Sequence, residues 1–201
     1  MRRPLALLAY GFVALAIAFE VATLWFMLHP QVPPDYRAYY IDQTTTCLNQ
    51  PVSGDYAFGS TVSFRSDGAA LAKPLRVCGW EGPAGDGTHA VGETSRLRFA
   101  LPAGENGPMV LNLELVAIRR EGVPQQRVVV RVNGAELRTV SVSPETPTVF
   151  EVPVPADVVR AGKGRLDVFL DYPDAVRMSP TDSNTRLRSV KLLSAQVLLA
   201  S

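Results

Sequence analysis

The feature that most constrains this chain is its first apolar run, Leu5 to Leu28, LALLAYGFVALAIAFEVATLWFML. As a helix rising about 1.5 Å per residue it reaches about 36 Å, enough to cross a hydrocarbon layer of roughly 30 Å. Arg2 and Arg3 precede it, and no comparable basic cluster follows before the next long apolar stretch. The positive-inside rule therefore predicts a cytoplasmic tail (1–4), one transmembrane helix (5–28) and a domain on the far side of the membrane. Trp25 suits the far interface. His29-Pro30 ends the helix, because proline restricts its predecessor and donates no hydrogen bond. The rival is a cleavable signal peptide. Ala16-Ile17-Ala18 fits a small-residue cleavage site, but cleavage there leaves FEVATLWFML, still strongly apolar. We read the segment as an uncleaved anchor, and both readings send the domain to the same compartment. Glu20 lies inside the run, where a charge costs about 3 kcal/mol. It reads either as a protonated or snorkelling side chain, or as a contact with a partner membrane protein.

Beyond the anchor, residues 29–42 read as a stalk, with QVPPDYRAYYID over 31–42 and Pro33-Pro34 favouring an extended chain. From about residue 43 to 201 the pattern becomes β. Leu97, Phe99 and Leu101 alternate with polar or small residues, as do Leu111, Leu113 and Leu115, and Leu166, Val168, Leu170 and Tyr172. A period of two marks half-buried strands. Val128, Val130 and Val132 run into Asn133-Gly134, the strongest short hairpin signal, since both central residues of a type I′ turn need positive φ. Phe150, Val152 and Val154 form another strand, and PADVVRAG over 155–162 predicts one helical turn. The last run, Leu187 to Leu199, alternates imperfectly and predicts a bulge near Leu192-Leu193. Eight or nine strands with almost no helix outside the membrane predict an all-β domain, a β-sandwich or jelly roll. Roughly 160 residues suffice for one such core.

Two cysteines occur, Cys47 and Cys78, both in the exported part, which predicts a disulfide. Net charge is +1, from 20 Lys+Arg against 19 Asp+Glu, a balance that gives no electrostatic case for nucleic acid. No nucleophile elbow, P-loop, zinc motif or dinucleotide fingerprint is present. His89 has no ligand partners at metal-site spacing and nothing around it supports a catalytic triad. We therefore expect no enzyme, no cofactor and no metal.

The most distinctive stretch is CGWEGPAGDGTHAVGETSRLRFAL, residues 78–101. Trp80 stands there with Glu81, Asp86 and His89 in a glycine-rich loop. An aromatic face beside hydrogen-bonding groups is what a sugar ring requires. The plainer reading makes Trp80 a cap on the sandwich core, its indole N–H satisfied by backbone. A second polar cluster, PDAVRMSPTDSNTRLR over 173–188, offers Asp171, Asp174, Asp182 and Asn184 as calcium ligands. We favour an ordinary loop there, tied by an Asp182–Arg186 pair, since no dense ligand spacing appears.

Gly79-Trp80, Pro83, Gly87 and Gly92, followed by Leu97 and Phe99, resemble the GW…PE…G.W..G…L.F.L signature of a bacterial jelly-roll, carbohydrate-binding-like domain. That domain recurs in proteins of surface-polysaccharide and glycan assembly, often fused to membrane glycosyltransferases. Val132-Asn133-Gly134 and the closing Ser179-Pro180, Asp182, Arg186-Leu187 are similar to the same family, and the resemblance runs roughly from Cys78 to Val197. Ala84 replaces the family's glutamate after Pro83, and its second tryptophan is replaced near Thr88-His89. Taken with the anchor, this predicts a single-pass protein of the bacterial inner membrane with a periplasmic domain, and the resemblance implies a carbohydrate-related role. Such a protein would bind glycan, or serve a membrane glycosyltransferase or another membrane subunit as an accessory. The alternative is a pure protein-interaction subunit that binds no sugar.

Overall fold

In this computed structural model, residues 2–29, 31–42, 45–178 and 187–200 are described, with side chains from residue 10 onward. The N-terminal run forms helix α1 (Arg2–Leu28). Its Tyr10–Leu28 stretch has a mean hydropathy of 2.0 and none of it is buried against the domain. Length and composition allow it to cross a membrane, as an anchor or as part of a signal sequence. Glu20 is exposed on this helix. Thr23 turns its hydroxyl back to the carbonyls of Phe19 and Glu20, at 2.7 and 2.9 Å, so that it spends no donor on the surroundings.

The stalk is not extended. Pro34 opens a helical turn, α2 (Pro34–Tyr36), which continues as a wider turn over Arg37–Ile41. A proline in the first helical position gives up no hydrogen bond and its fixed φ suits the helix, so the proline pair starts a helix here. The β structure expected from residue 43 begins later, at Val62. Over 45–61 the chain forms no strand. It is held by isolated backbone bonds, Gln50 N–H to the Val77 carbonyl and Gly54 N–H to that of Pro74, each 2.9 Å. Pro51, Gly54 and Gly59 punctuate this stretch too closely for a strand to propagate.

Ten strands follow among the described residues: β1 (Val62–Ser63), β2 (Arg76–Cys78), β3 (Thr88–His89), β4 (Thr94–Ala100), β5 (Met109–Ala117), β6 (Gln126–Val132), β7 (Ala135–Val142), β8 (Thr148–Val154), β9 (Arg165–Asp171) and β10 (Val190–Leu199). The count exceeds eight or nine because β1 and β3 are two residues each, too short to show a period. The first sheet runs β1-β10-β5-β8, with β3 also on β10, and the second runs β2-β4-β9-β6-β7. Among the described residues, the named strands pair antiparallel throughout. The apolar positions of each alternation meet between the sheets: Leu111, Leu113 and Leu115 of β5 and Val190, Leu192 and Val197 of β10 share one core with Leu97, Phe99, Val130, Val168 and Leu170. The domain is a β-sandwich of jelly-roll type preceded by an apolar helix.

Two local expectations are met in detail. Asn133 and Gly134 take φ of 49° and 88°, the pair of positive values a type I′ turn demands. The register between β10 and β5 slips between Leu192 and Ser194, so Leu193 is the bulged residue. The bulge lets Val190 and Leu192 before it, and Ala195 and Val197 after it, all face the core. Short helices α3 (Ala69–Ala72) and α4 (Ala156–Ala161) complete the domain; α4 occupies the predicted turn, between Pro155 and Gly162.

Candidate functional site

The site begins where β2 ends. Cys78 is bonded to Cys47, with Cα atoms 4.8 Å apart, so the strandless 45–61 segment is fastened to the second sheet. The next residue, Gly79, has φ of 74°, and a Cβ there would sit 2.3 Å from the Thr94 carbonyl oxygen. Only glycine fits this turn, and the turn aims Trp80. The indole N–H donates to the Arg96 carbonyl at 2.8 Å, and the ring lies 6.4 Å from that of Phe64. Trp80 is half-buried against the core edge. Its N–H is therefore spent on backbone, as the structural reading required, while part of its surface remains open.

Two clefts share that open surface. The first, about 550 Å³, lies between the stalk and the sandwich and is lined by Tyr39, Tyr40, Thr46, Gln50, Trp80 and Glu81 among others. The second, about 420 Å³, adds Val52, Lys73 and Arg76 around the same Gln50, Trp80 and Glu81. Tyr40 packs on Tyr36 at 4.5 Å and edge-on to Tyr39 at 4.8 Å between ring centroids. Nothing in the sequence marks these tyrosines as site residues, because Pro33-Pro34 predicts an extended spacer there. The loop carries no second tryptophan; the other aromatic side chains lining the first cleft, Tyr39 and Tyr40, come from the stalk.

The four expected ligand residues are not gathered in one place. Residues 80–90 fold back on themselves, with Glu81 N–H bonded to the His89 carbonyl at 3.0 Å and a turn between Ala84 and Gly87. Trp80 and Glu81 face the paired clefts. Asp86 and His89 instead line a third cleft of about 590 Å³, with Arg65, Arg119, Lys191 and Leu193. Glu81 is ion-paired with Arg188, and Asp86 with Lys191. The hydrogen bond from Lys191 holds the Asp86 carboxyl below its ordinary pKa. His89 is pushed below its ordinary value first by burial and then by Lys191, and its Nδ1 is buried without a partner. It is thus a half-buried ring near Lys191 and Arg188, with no serine or carboxylate bonded to it among the described residues.

The proposed cation ligands also have other occupations. Asp171 accepts from Thr94 at 2.9 Å and pairs with Arg131 at 2.6 Å, and Asp174 pairs with Arg127 at 2.7 Å. Asp182, Asn184 and the Asp182–Arg186 pair lie outside the described residues.

No protein-family model matches the chain, and no curated protein matches it. Several solved structures are similar to it. A family 115 4-O-methyl-α-glucuronidase with specificity for decorated arabinogalactans matches 76% of this chain at 14% identity and a TM-score of 0.44. A carbohydrate-binding module of family 36, solved with calcium and xylotriose, matches 69% at 10% identity and a TM-score of 0.39. A family 6 module from Clostridium stercorarium, in complex with cellobiose, matches 74% at 12% identity and a TM-score of 0.38. The chain spans 19% of the glucuronidase, but 98% and 100% of the two modules. The likeness transfers no ligand or activity to this chain.

Proposed function

We propose that this is a membrane-tethered, non-enzymatic glycan-binding protein whose ligand lies in the clefts beside Trp80. The observation that carries the reading is the convergence of Tyr39, Tyr40 and Trp80 on one open cleft with Thr46, Gln50 and Glu81. Aromatic faces take the C–H faces of sugar rings, and the amide, hydroxyl and carboxylate fix hydroxyl groups. Tyr39 and Tyr40 follow the apolar helix by a short stretch of chain. A ligand at this cleft would therefore be met close to the membrane. That position supports a role beside a glycan-synthesising or glycan-exporting membrane complex, with a glycosyltransferase as the natural neighbour. The domain would be periplasmic and the helix a single-pass anchor of a bacterial inner membrane.

Tyr40 gives the cleanest test because it is exposed and contributes little to the core. On a glycan array, the full chain in detergent should bind, and Tyr40→Ala should lose roughly tenfold in affinity or more, the scale of one lost aromatic contact, with unchanged melting. A parent chain that binds no glycan would leave the interaction-subunit reading in its place. That second reading rests on Glu20, an exposed carboxylate on the apolar helix.

A further inference from the structure

The outer face of the second sheet carries a ladder of arginines, most of them paired. Arg98 and Arg165 share Asp167 at 2.6 and 3.1 Å, Arg131 meets Asp171 at 2.6 Å, and Arg127 meets Asp174 at 2.7 Å. Arg96 differs. Among the described residues it has no carboxylate partner. Its guanidinium lies 4.3 Å from the centroid of the Phe169 ring, and one nitrogen donates to Asn49 Oδ1 at 3.0 Å. Its Nε is buried and meets no acceptor. The cation is thus partly desolvated, seated over the Phe169 ring, and left with an unused donor at Nε. A guanidinium so placed favours an anion with oxygens in its own plane, which is the geometry of a carboxylate.

Arg96 lines a cleft of about 220 Å³ with Asn49, Gln50, Arg98, Asp167 and Phe169. Gln50 also lines both clefts beside Trp80, so the three adjoin at that side chain. The indole of Trp80 is itself bonded to the Arg96 carbonyl. The aromatic clefts and the Arg96 cleft therefore adjoin at Gln50. We propose that the glycan bound by this protein is acidic, with a sugar ring on the aromatic clefts and the carboxylate of a uronic acid residue on Arg96. This rests on the glycan-binding reading and adds the ligand's charge to it.

The test uses the full chain in detergent on an array of alginate, polygalacturonate and hyaluronan fragments, each printed beside its carboxyl-reduced form. The parent should prefer acidic forms by roughly tenfold or more, the scale of one charge-assisted hydrogen-bond pair, and the preference should shrink as salt is raised. Arg96→Gln should bring the acid-to-neutral ratio to about one, and Arg96→Lys should restore only part of it, since lysine lacks the planar fork. If Arg96→Gln melts below the parent, Arg96→Lys reads the same ratio in a folded protein. Equal binding of acidic and neutral forms by the parent, or an unchanged ratio in both variants, overturns the acidic assignment and leaves glycan binding standing. A parent that binds neither form of any glycan overturns both.

Discussion

At Tyr172 and His89, single side chains carry consequences that solution measurements can read. Tyr172 is buried, its hydroxyl hydrogen-bonded to that of Ser95, and burial raises its pKa. Tyr172→Phe keeps the ring but leaves the buried Ser95 hydroxyl without that partner. The expected loss is about 1–3 kcal/mol, seen as an earlier midpoint in urea with unchanged slope. His89 is depressed in the folded chain, so the unfolded chain takes up its proton first as pH falls. Stability should therefore be complete above the ordinary histidine range and decline as pH drops through about 6.5 toward the folded value. His29, the other histidine of the chain, follows the apolar helix. Melting scans between about pH 7.5 and 5.5 should show the decline in the parent and a flatter profile in His89→Gln. An equal slope in both would place the titration elsewhere.

Among the elements, the Asn133-Gly134 hairpin does more than turn the chain. The Asn133 amide donates to the carbonyls of Val158 and Arg165 at 2.9 and 3.3 Å, and its oxygen accepts from Asp167 N–H at 2.9 Å. One side chain ties β6–β7 to α4 and β9. Asn133→Ala forfeits these bonds and places an alanine at positive φ, so a loss of about 2–4 kcal/mol is expected by denaturant titration. The Cys47–Cys78 bond closes a separation of 31 residues. Its removal as a double serine variant should cost roughly 3–4 kcal/mol in the chain-entropy model and loosen the segment bearing Gln50, so glycan affinity should fall with it. The hairpin, the Leu193 bulge and the disulfide were legible in the sequence because each follows from local chemistry: a dipeptide, a broken alternation, a lone cysteine pair. The long strands were legible because one face is buried. The site was legible only in part. Trp80 and Glu81 stand where the loop suggested, but the fold-back sends Asp86 and His89 to another cleft. Tyr39, Tyr40 and Gln50 reach the site through tertiary contacts that no period announces, and Arg96 looked like any polar residue on a strand's outer face.

For the molecule as a whole, the arrangement is an apolar helix joined by a short helical turn to one sandwich. An uncleaved anchor predicts that the chain fractionates with membranes, resists extraction by high salt, and keeps residues 5–28 in its intact mass. A mature chain beginning at Phe19 would show cleavage after Ala18 instead. Within the sandwich, the tenth strand in chain order lies inside the first sheet: β10 pairs with β5 on one side and with β1 and β3 on the other. A chain made from its N-terminus holds β1 and β3 without their hydrogen-bonding partner until residues 190–199 emerge. Partial folding during synthesis can join β5 to β8 and build much of the second sheet, yet it cannot close the core. Until residues 190–199 are made, the first sheet stays open along β5, and the sandwich closes only when β10 takes its place between β5 and the β1–β3 edge.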